Sequence, residues 1–228
     1  MLNIKKYFNS VDSKSRANEF RRKRFELFLE IFNDIISNQE RIDILDVGGW
    51  EIFWKNMGIE KYSNIHILFL NLNKQKTTLP NVKSTVGDGC SMPQFRDKQF
   101  DIVFSNSVIE HVGDFNRQQQ MANEIRRVGK YYFLQTPNYF FPIEPHFMFI
   151  GFHWLPVSFR VFLITHFSLG WYEKFDSNSE AEKLVSSTRL LSANELKKMF
   201  NNCVIYKEKY IGLVKSFMVT NKKNLVNI

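Results

Sequence analysis

The chain has little cysteine, proline or glycine, with two, six and ten residues respectively among 228. Cys90 and Cys203 lie far apart and match neither a C-x-x-C pair nor a metal-ligand spacing. That fits a reducing, cytoplasmic setting better than a disulfide framework, and no structural zinc site is expected. No linker rich in proline and glycine, low-complexity stretch or internal repeat divides the sequence, so a single domain over 1–228 is expected. Residues 1–20 carry lysines without an apolar segment behind them, and no secretory signal is read there. The nearest approach to a long apolar run is 147–164. Pro156 interrupts it, and His153 and Arg160 would lie in hydrocarbon, so a membrane span is not expected. A lid over a crevice, an interfacial helix in peripheral contact with a membrane, or a helical insertion that completes the core each account for these residues.

What the chain does have is apolar mass and positive charge. Apolar residues make up 44% of it, enough to fill a core, and the formal net charge is +8. The charge is uneven: Arg21-Arg22-Lys23-Arg24 form one cluster, and from Lys197 onward Glu208 is the single acid among many lysines. Such clusters attract nucleic acid, anionic lipid or phosphorylated substrates, although a solvated, solubilising face is the commoner outcome.

Hydrophobic spacing supplies the elements. Over 20–36, Phe25, Phe28, Leu29, Phe32, Ile35 and Ile36 recur at helical period with charges opposite, predicting a leading amphipathic helix. Short apolar strands are read at 42–47, 65–70, 82–86, 100–105 and 131–135, with a helix beginning near Trp50 and another after Asn116. A late helix over 190–200 has Ser192 as N-cap and Glu195 three residues on, the capping-box pattern. Strands at 204–210 and 216–220, joined through Gly212, would close the sheet. Strands alternating with helices imply right-handed crossovers. The expected fold is therefore α/β and Rossmann-like: a mostly parallel seven-stranded sheet with helices on both faces, a C-terminal antiparallel hairpin and an apolar helical insertion. Ligands of such sheets sit at the carboxyl ends of the strands. Asp46, Asn71, Asp88 and Asn106 each follow an apolar run and would converge there.

The segments Ile44-Leu45-Asp46-Val47-Gly48-Gly49, Gly87-Asp88-Gly89 and Asp101-Ile102-Val103-Phe104-Ser105-Asn106-Ser107-Val108-Ile109-Glu110-His111-Val112 together resemble the class I S-adenosylmethionine-dependent methyltransferases. Within them the likeness is to the group with a Glu-His-Val element after the fourth strand, and it covers 41–138. It implies S-adenosyl-L-methionine as cofactor and a division into an N-terminal helical segment (1–40), a cofactor-binding core (41–138), an acceptor-side insertion (139–185) and a closing unit (186–228). It also implies roles. Asp46 would organise the cofactor's amino-acid end, and Gly48 and Gly49 would let backbone approach it. Asn71, followed by Leu72, occupies the place of the acid that bridges the ribose hydroxyls; an amide can accept one hydrogen bond and donate another but lacks a carboxylate's charge. Asp88 would receive the adenine amine with Gly89 and Cys90 against the ring, its alternative being a turn or N-cap aspartate. Asn106 would face the sulfonium.

Methyl transfer from a sulfonium is an in-line displacement, so a protein mainly aligns donor and acceptor and, for a hydroxyl acceptor, removes a proton. His111, at the end of the fourth strand, is the candidate base because imidazole titrates near neutrality; its alternative is a loop anchor. Glu110 would orient that loop. Glu144 and His146, stiffened by Pro142 and Pro145, are candidates on the acceptor side. Metal ligation by His111, Glu144 and His146 is disfavoured because they come from separate loops. The expected acceptor is a small or lipid-linked molecule, a sugar or glycan-precursor hydroxyl being favoured. A dinucleotide dehydrogenase would need G-x-G-x-x-G where Gly48-Gly49-Trp50 stands. A methyltransferase acting on nucleic-acid amino groups would carry a Pro-Pro-aromatic element where Ser105-Asn106-Ser107-Val108 stands, so nucleic acid is not the expected partner. A non-catalytic cofactor-binding or membrane-peripheral module on the same fold remains the alternative.

Overall fold

The computed structural model describes residues 16–144, 147–170 and 172–223. Helix α1 (Arg16–Asn38) buries Phe25, Phe28, Ile31, Phe32, Ile35 and Ile36. Ile31 replaces the expected Leu29, which is only partly covered, because the buried stripe drifts around a helix of this length. Strand β1 (Ile42–Val47) follows, and after the glycine turn a short helix α2 (Glu51–Asn56) begins at Trp50. Next come β2 (Ile65–Asn71), β3 (Val82–Val86), β4 (Phe100–Asn106), α3 (Phe115–Val128) and β5 (Gly129–Pro137). The Asp114 side chain caps α3 by accepting from the Arg117 N–H at 2.9 Å. The insertion contains a two-stranded hairpin, β6 (Ile143–Glu144) with β7 (Phe149–Ile150), and helices α4 (Val157–His166) and α5 (Asn178–Ser186). The chain closes with α6 (Ala193–Met199), β8 (Val204–Tyr210) and β9 (Leu213–Thr220).

The seven strands lie in the order β3-β2-β1-β4-β5-β9-β8. The first five are parallel, and β9 runs antiparallel to both β5 and β8. Alternation along the strands sorts the core into two layers. Ile44, Ile102, Phe104, Phe133 and Met218 face α1 and Trp54, whereas Leu45, Val103, Tyr132, Leu134 and Val219 face α3 and α6. Phe28 sits at the centre of the first layer, with ring centroids 5.5 Å from both Phe104 and Phe133 and 5.1 Å from Phe32.

The insertion does not complete the main core. Phe147, Phe152, Ile164, Ala181 and Val185 form a small core of their own, leaving Phe159, Phe162 and Phe167 exposed. Among the described residues no helix is long and apolar enough to cross a membrane.

Candidate functional site

The polar residues expected at strand ends lie along one crest of the sheet, formed by the carboxyl ends of β1, β2, β3 and β4. Gly48 takes φ +77°, and a side chain there would collide with Val108, so the turn after β1 requires glycine on two counts. A Cβ on Gly49 would strike the Asp46 carboxylate and Phe69.

Asp46 itself is sealed beneath this turn. Its Oδ2 accepts a 2.7 Å hydrogen bond from the Trp54 indole N–H, and burial pushes its carboxyl up to about 8 despite that bond. Asp46 therefore supports the turn from behind. The bulky residues after Gly49 include the tryptophan that covers it. Asn71 ends β2 and donates its amide to the Gly49 carbonyl at 3.0 Å, fastening the turn to the neighbouring strand. A carboxylate could not make this bond.

Asp88 follows β3. It accepts from the Cys90 N–H at 2.9 Å, the turn arrangement, and also receives the Arg117 guanidinium at 2.6 Å. Burial alone would raise its carboxyl, but the hydrogen bonds from Arg117 and Cys90 and the guanidinium charge together hold it below the ordinary value. Gly89 packs on Val47, and the buried Cys90 thiol donates to the Arg117 carbonyl at 3.3 Å. Its pKa is pushed up to about 11, chiefly by burial and then by Asp88, so it is not a nucleophile. Between these polar groups, Trp50 and Leu72 are 61% and 74% exposed, apolar surface left uncovered beside hydrogen-bonding side chains.

At the end of β4, the Asn106 Oδ1 accepts from Arg24 at 3.3 Å. Ser107 holds φ +58°, fixed by its hydroxyl bond to the Gln135 side chain at 2.7 Å. The following single-turn helix Ile109–His111 turns Glu110 inward, where its Oε2 accepts from the Thr136 hydroxyl at 3.0 Å, and turns His111 out to solvent. Glu110 thus anchors the loop. The His111 Nδ1 lies 3.3 Å from the Thr188 Oγ1. Thr188 lines a cavity of about 420 Å³ whose other walls include Tyr139, Phe140, His153, Arg160 and Arg189. Glu144 contributes backbone to β6, whereas its side chain and His146 lie outside the described residues.

Trp54, Arg117, Arg24 and Ser107 are the site residues that sequence reasoning missed. Trp54 lay in plain view as an aromatic eight positions after Asp46. Arg117 and Arg24 reach the site across 29 and 82 positions, with no local signal.

Comparison with known proteins gives three findings. A family model described as a methyltransferase domain matches residues 55–131. An uncharacterized protein of Mycobacterium tuberculosis is 39% identical over 51 residues, which is 22% of this chain and 17% of that protein. The chain thus spans less than a fifth of the curated relatives it matches. The N-terminal domain of EvdMO1 with SAH bound is similar at a TM-score of 0.52 and 16% identity, over 89% of this chain and 80% of that one. The same domain solved in the presence of SAH and D-fucose matches at the same TM-score over 89% and 82%. The likeness to these structures establishes the fold.

Proposed function

We propose, from the premise that residues 55–131 are a methyltransferase domain within the class I fold, that this protein binds S-adenosylmethionine along the crest of β1 to β4. It transfers the methyl group to a hydroxyl of a sugar or lipid-linked acceptor. The observation that carries this reading is the convergence of Asn71, Asp88 and Asn106 on one edge, with Trp50 and Leu72 uncovered between them. Flat apolar contacts beside paired donors and acceptors suit a purine nucleoside. Asp88 keeps acceptor capacity, because each carboxylate oxygen has a second lone pair beyond the one taken by Arg117 or Cys90. Asn71 retains its carbonyl oxygen for a ribose hydroxyl.

When bound, the cofactor supplies an electrophilic methyl on a sulfonium. The protein's own work is alignment and proton removal. Asn106 would hold the amino-acid end near the end of β4, kept in place by Arg24. His111 stands at the rim of the 420 Å³ cavity through Thr188, where it would accept the proton of an acceptor hydroxyl. The aromatic walls of that cavity, Tyr139 and Phe140, suit a sugar ring. The D-fucose present with the structurally similar EvdMO1 domain favours the same class. The exposed Phe159, Phe162 and Phe167 would rest on a lipid chain or on the inner face of a membrane.

A second reading, a binding module without catalysis, is favoured by the Thr188 hydroxyl, which already engages the His111 Nδ1 as a loop anchor would. Calorimetry separates the two. One S-adenosylhomocysteine per chain is expected, with Asp88→Ala weakening it by about 1–3 kcal/mol, the usual cost of a stranded hydrogen-bonding partner. His111→Ala should leave that affinity nearly intact while lowering turnover of a sugar acceptor by roughly 100-fold. No binding by the folded protein would sink the methyl-donor reading, and binding without turnover on any sugar, glycan or phenol would leave the binding module.

A further inference from the structure

Four charged side chains meet beside the end of β4, where α1 crosses β8 and β9. Arg24 grips both Glu208 oxygens at 2.8 and 2.9 Å and extends its remaining nitrogen to Asn106 at 3.3 Å. Ser216 donates to Glu208 at 2.8 Å. The Lys215 ammonium stands 3.6 Å from the same carboxylate and 3.5 Å above the Phe20 ring. Arg21, one helical turn before Arg24, donates to the Asn18 carbonyl oxygen at 3.0 Å.

Among the described residues the cluster is unbalanced: Arg24 and Lys215 face one carboxylate and Arg21 adds a third cation beside them, a surplus of two positive charges. The side chains of Arg24, Glu208 and Lys215 are only 11%, 9% and 19% exposed, so water does little to screen them. Desolvation and the charge of Arg24 bring Lys215 down to about 8, against the opposing pull of Glu208. Desolvation and Arg24 also bring Arg21 down to about 10. Charges taken from water without partners are costly, and a cluster that holds a surplus is relieved by an anion placed among its members.

Position says whose anion. Asn71 and Asp88 lie on the β2 and β3 side of β1, whereas Ser216 pairs with Pro137 at the end of β5 and Lys215 precedes it. With strands about 4.8 Å apart, β9 stands roughly 19 Å from β2. The cluster therefore borders the end of the crest that lies beyond the donor's nucleoside. We infer that Arg21, Arg24 and Lys215 form an anion subsite for an acidic group of the acceptor, a carboxylate or a phosphate such as a sugar or lipid phosphate carries. The identity of the anion's owner rests on the methyl-transfer reading; the subsite itself does not.

Inorganic pyrophosphate and S-adenosylhomocysteine serve as probes, titrated by calorimetry into wild-type protein and into Arg21→Gln, Lys215→Met and Glu208→Gln. Pyrophosphate should bind once per chain with donor product already present. Arg21→Gln and Lys215→Met should weaken it at least ~10-fold, and Glu208→Gln, which raises the surplus while keeping shape, should tighten it. The gain expected of Glu208→Gln keeps the test decisive where a loss variant fails to fold. Pyrophosphate binding that is absent, or unchanged in all three variants, overturns the subsite. Competition between pyrophosphate and S-adenosylhomocysteine overturns the acceptor assignment. So does a loss of S-adenosylhomocysteine affinity in Lys215→Met that methylthioadenosine, which lacks the amino-acid end, does not share; either result hands the cations to the donor's carboxylate. Because donor binding is read in the same titrations, failure of the methyl-donor reading shows separately as an absent S-adenosylhomocysteine heat.

Discussion

At Asp46, enclosed by Gly49, Phe69 and Trp54, the folded carboxyl titrates near 8, against 3.8 for the ordinary side chain. A carboxyl raised on folding gives its full contribution below the unfolded value and loses it as pH climbs toward the folded one. Glu51, Asp88, Glu124, Glu195 and Glu208 are all held low, so their contributions are lost only below about pH 4.5 and are level above it. Between about pH 5 and 8 the cofactor-free protein should therefore lose stability through Asp46, by on the order of a few kcal/mol. Urea melts across that window would show the slope, and Asp46→Asn, which still accepts from Trp54, should flatten it; an unchanged slope would mean that other groups set it. A second side chain teaches a similar lesson. Asn71→Asp removes the donor to Gly49 and sets a carboxylate against a carbonyl, so unfolding free energy should drop by roughly 1–3 kcal/mol. The crest positions of Asn71, Asp88 and Asn106 were legible in sequence because an apolar run ending in a polar residue is a local pattern. Their partners Arg117 and Arg24 were not, because a hydrogen bond across 29 or 82 positions leaves no trace in spacing.

Among elements, those with a strong period or a cap were readable. The boundaries of β1, β3 and β8 coincide with the expected ones, and the Ser192–Glu195 capping box forms with both reciprocal bonds. Ser192→Ala should cost about 1 kcal/mol in a denaturant titration. Helix α1 bears its expected apolar stripe, but its basic run is not the wholly solvated face that is the commoner outcome of such a cluster. Arg22 and Lys23 are exposed, as a solubilising cluster would be, yet Arg21 and Arg24 of the same run turn toward the sheet. Four consecutive basic residues on a helix must point in four directions, and only the packing of α1 decides which two are covered. Phe28, wedged among Phe104, Phe133 and Trp54, should make α1 indispensable: Phe28→Ala is expected to cost roughly 3–5 kcal/mol by thermal or chemical unfolding. The insertion was the least readable element. Pro156 interrupts its apolar run as expected, but Gly151 at φ +70° breaks the run as well, leaving a hairpin, a single turn and α4.

Over the whole molecule, the membrane contact proposed above would draw on the net charge of +8 and on the exposed Phe159 and Phe162 of α4. Replacing Phe159 and Phe162 together with serine should cut partitioning onto anionic liposomes by about 10-fold while leaving S-adenosylhomocysteine affinity unchanged. Equal sedimentation with vesicles by both proteins would deny the aromatic face that role. The strand order carries a further consequence, for the order in which the molecule is built. The crest of β1 to β4 is complete once residue 106 has left the ribosome, but Arg24 waits for Glu208, 184 positions later, and β9 enters the sheet only after β8 has been made. The nascent chain therefore carries an early half that can close on itself, with the aromatic stripe of α1 against Phe104 and Phe133, while the inward charge of Arg24 has no Glu208 until β8 is made. Of the two faces that α1 turns to the sheet, the aromatic one can dock before the charged one is answered.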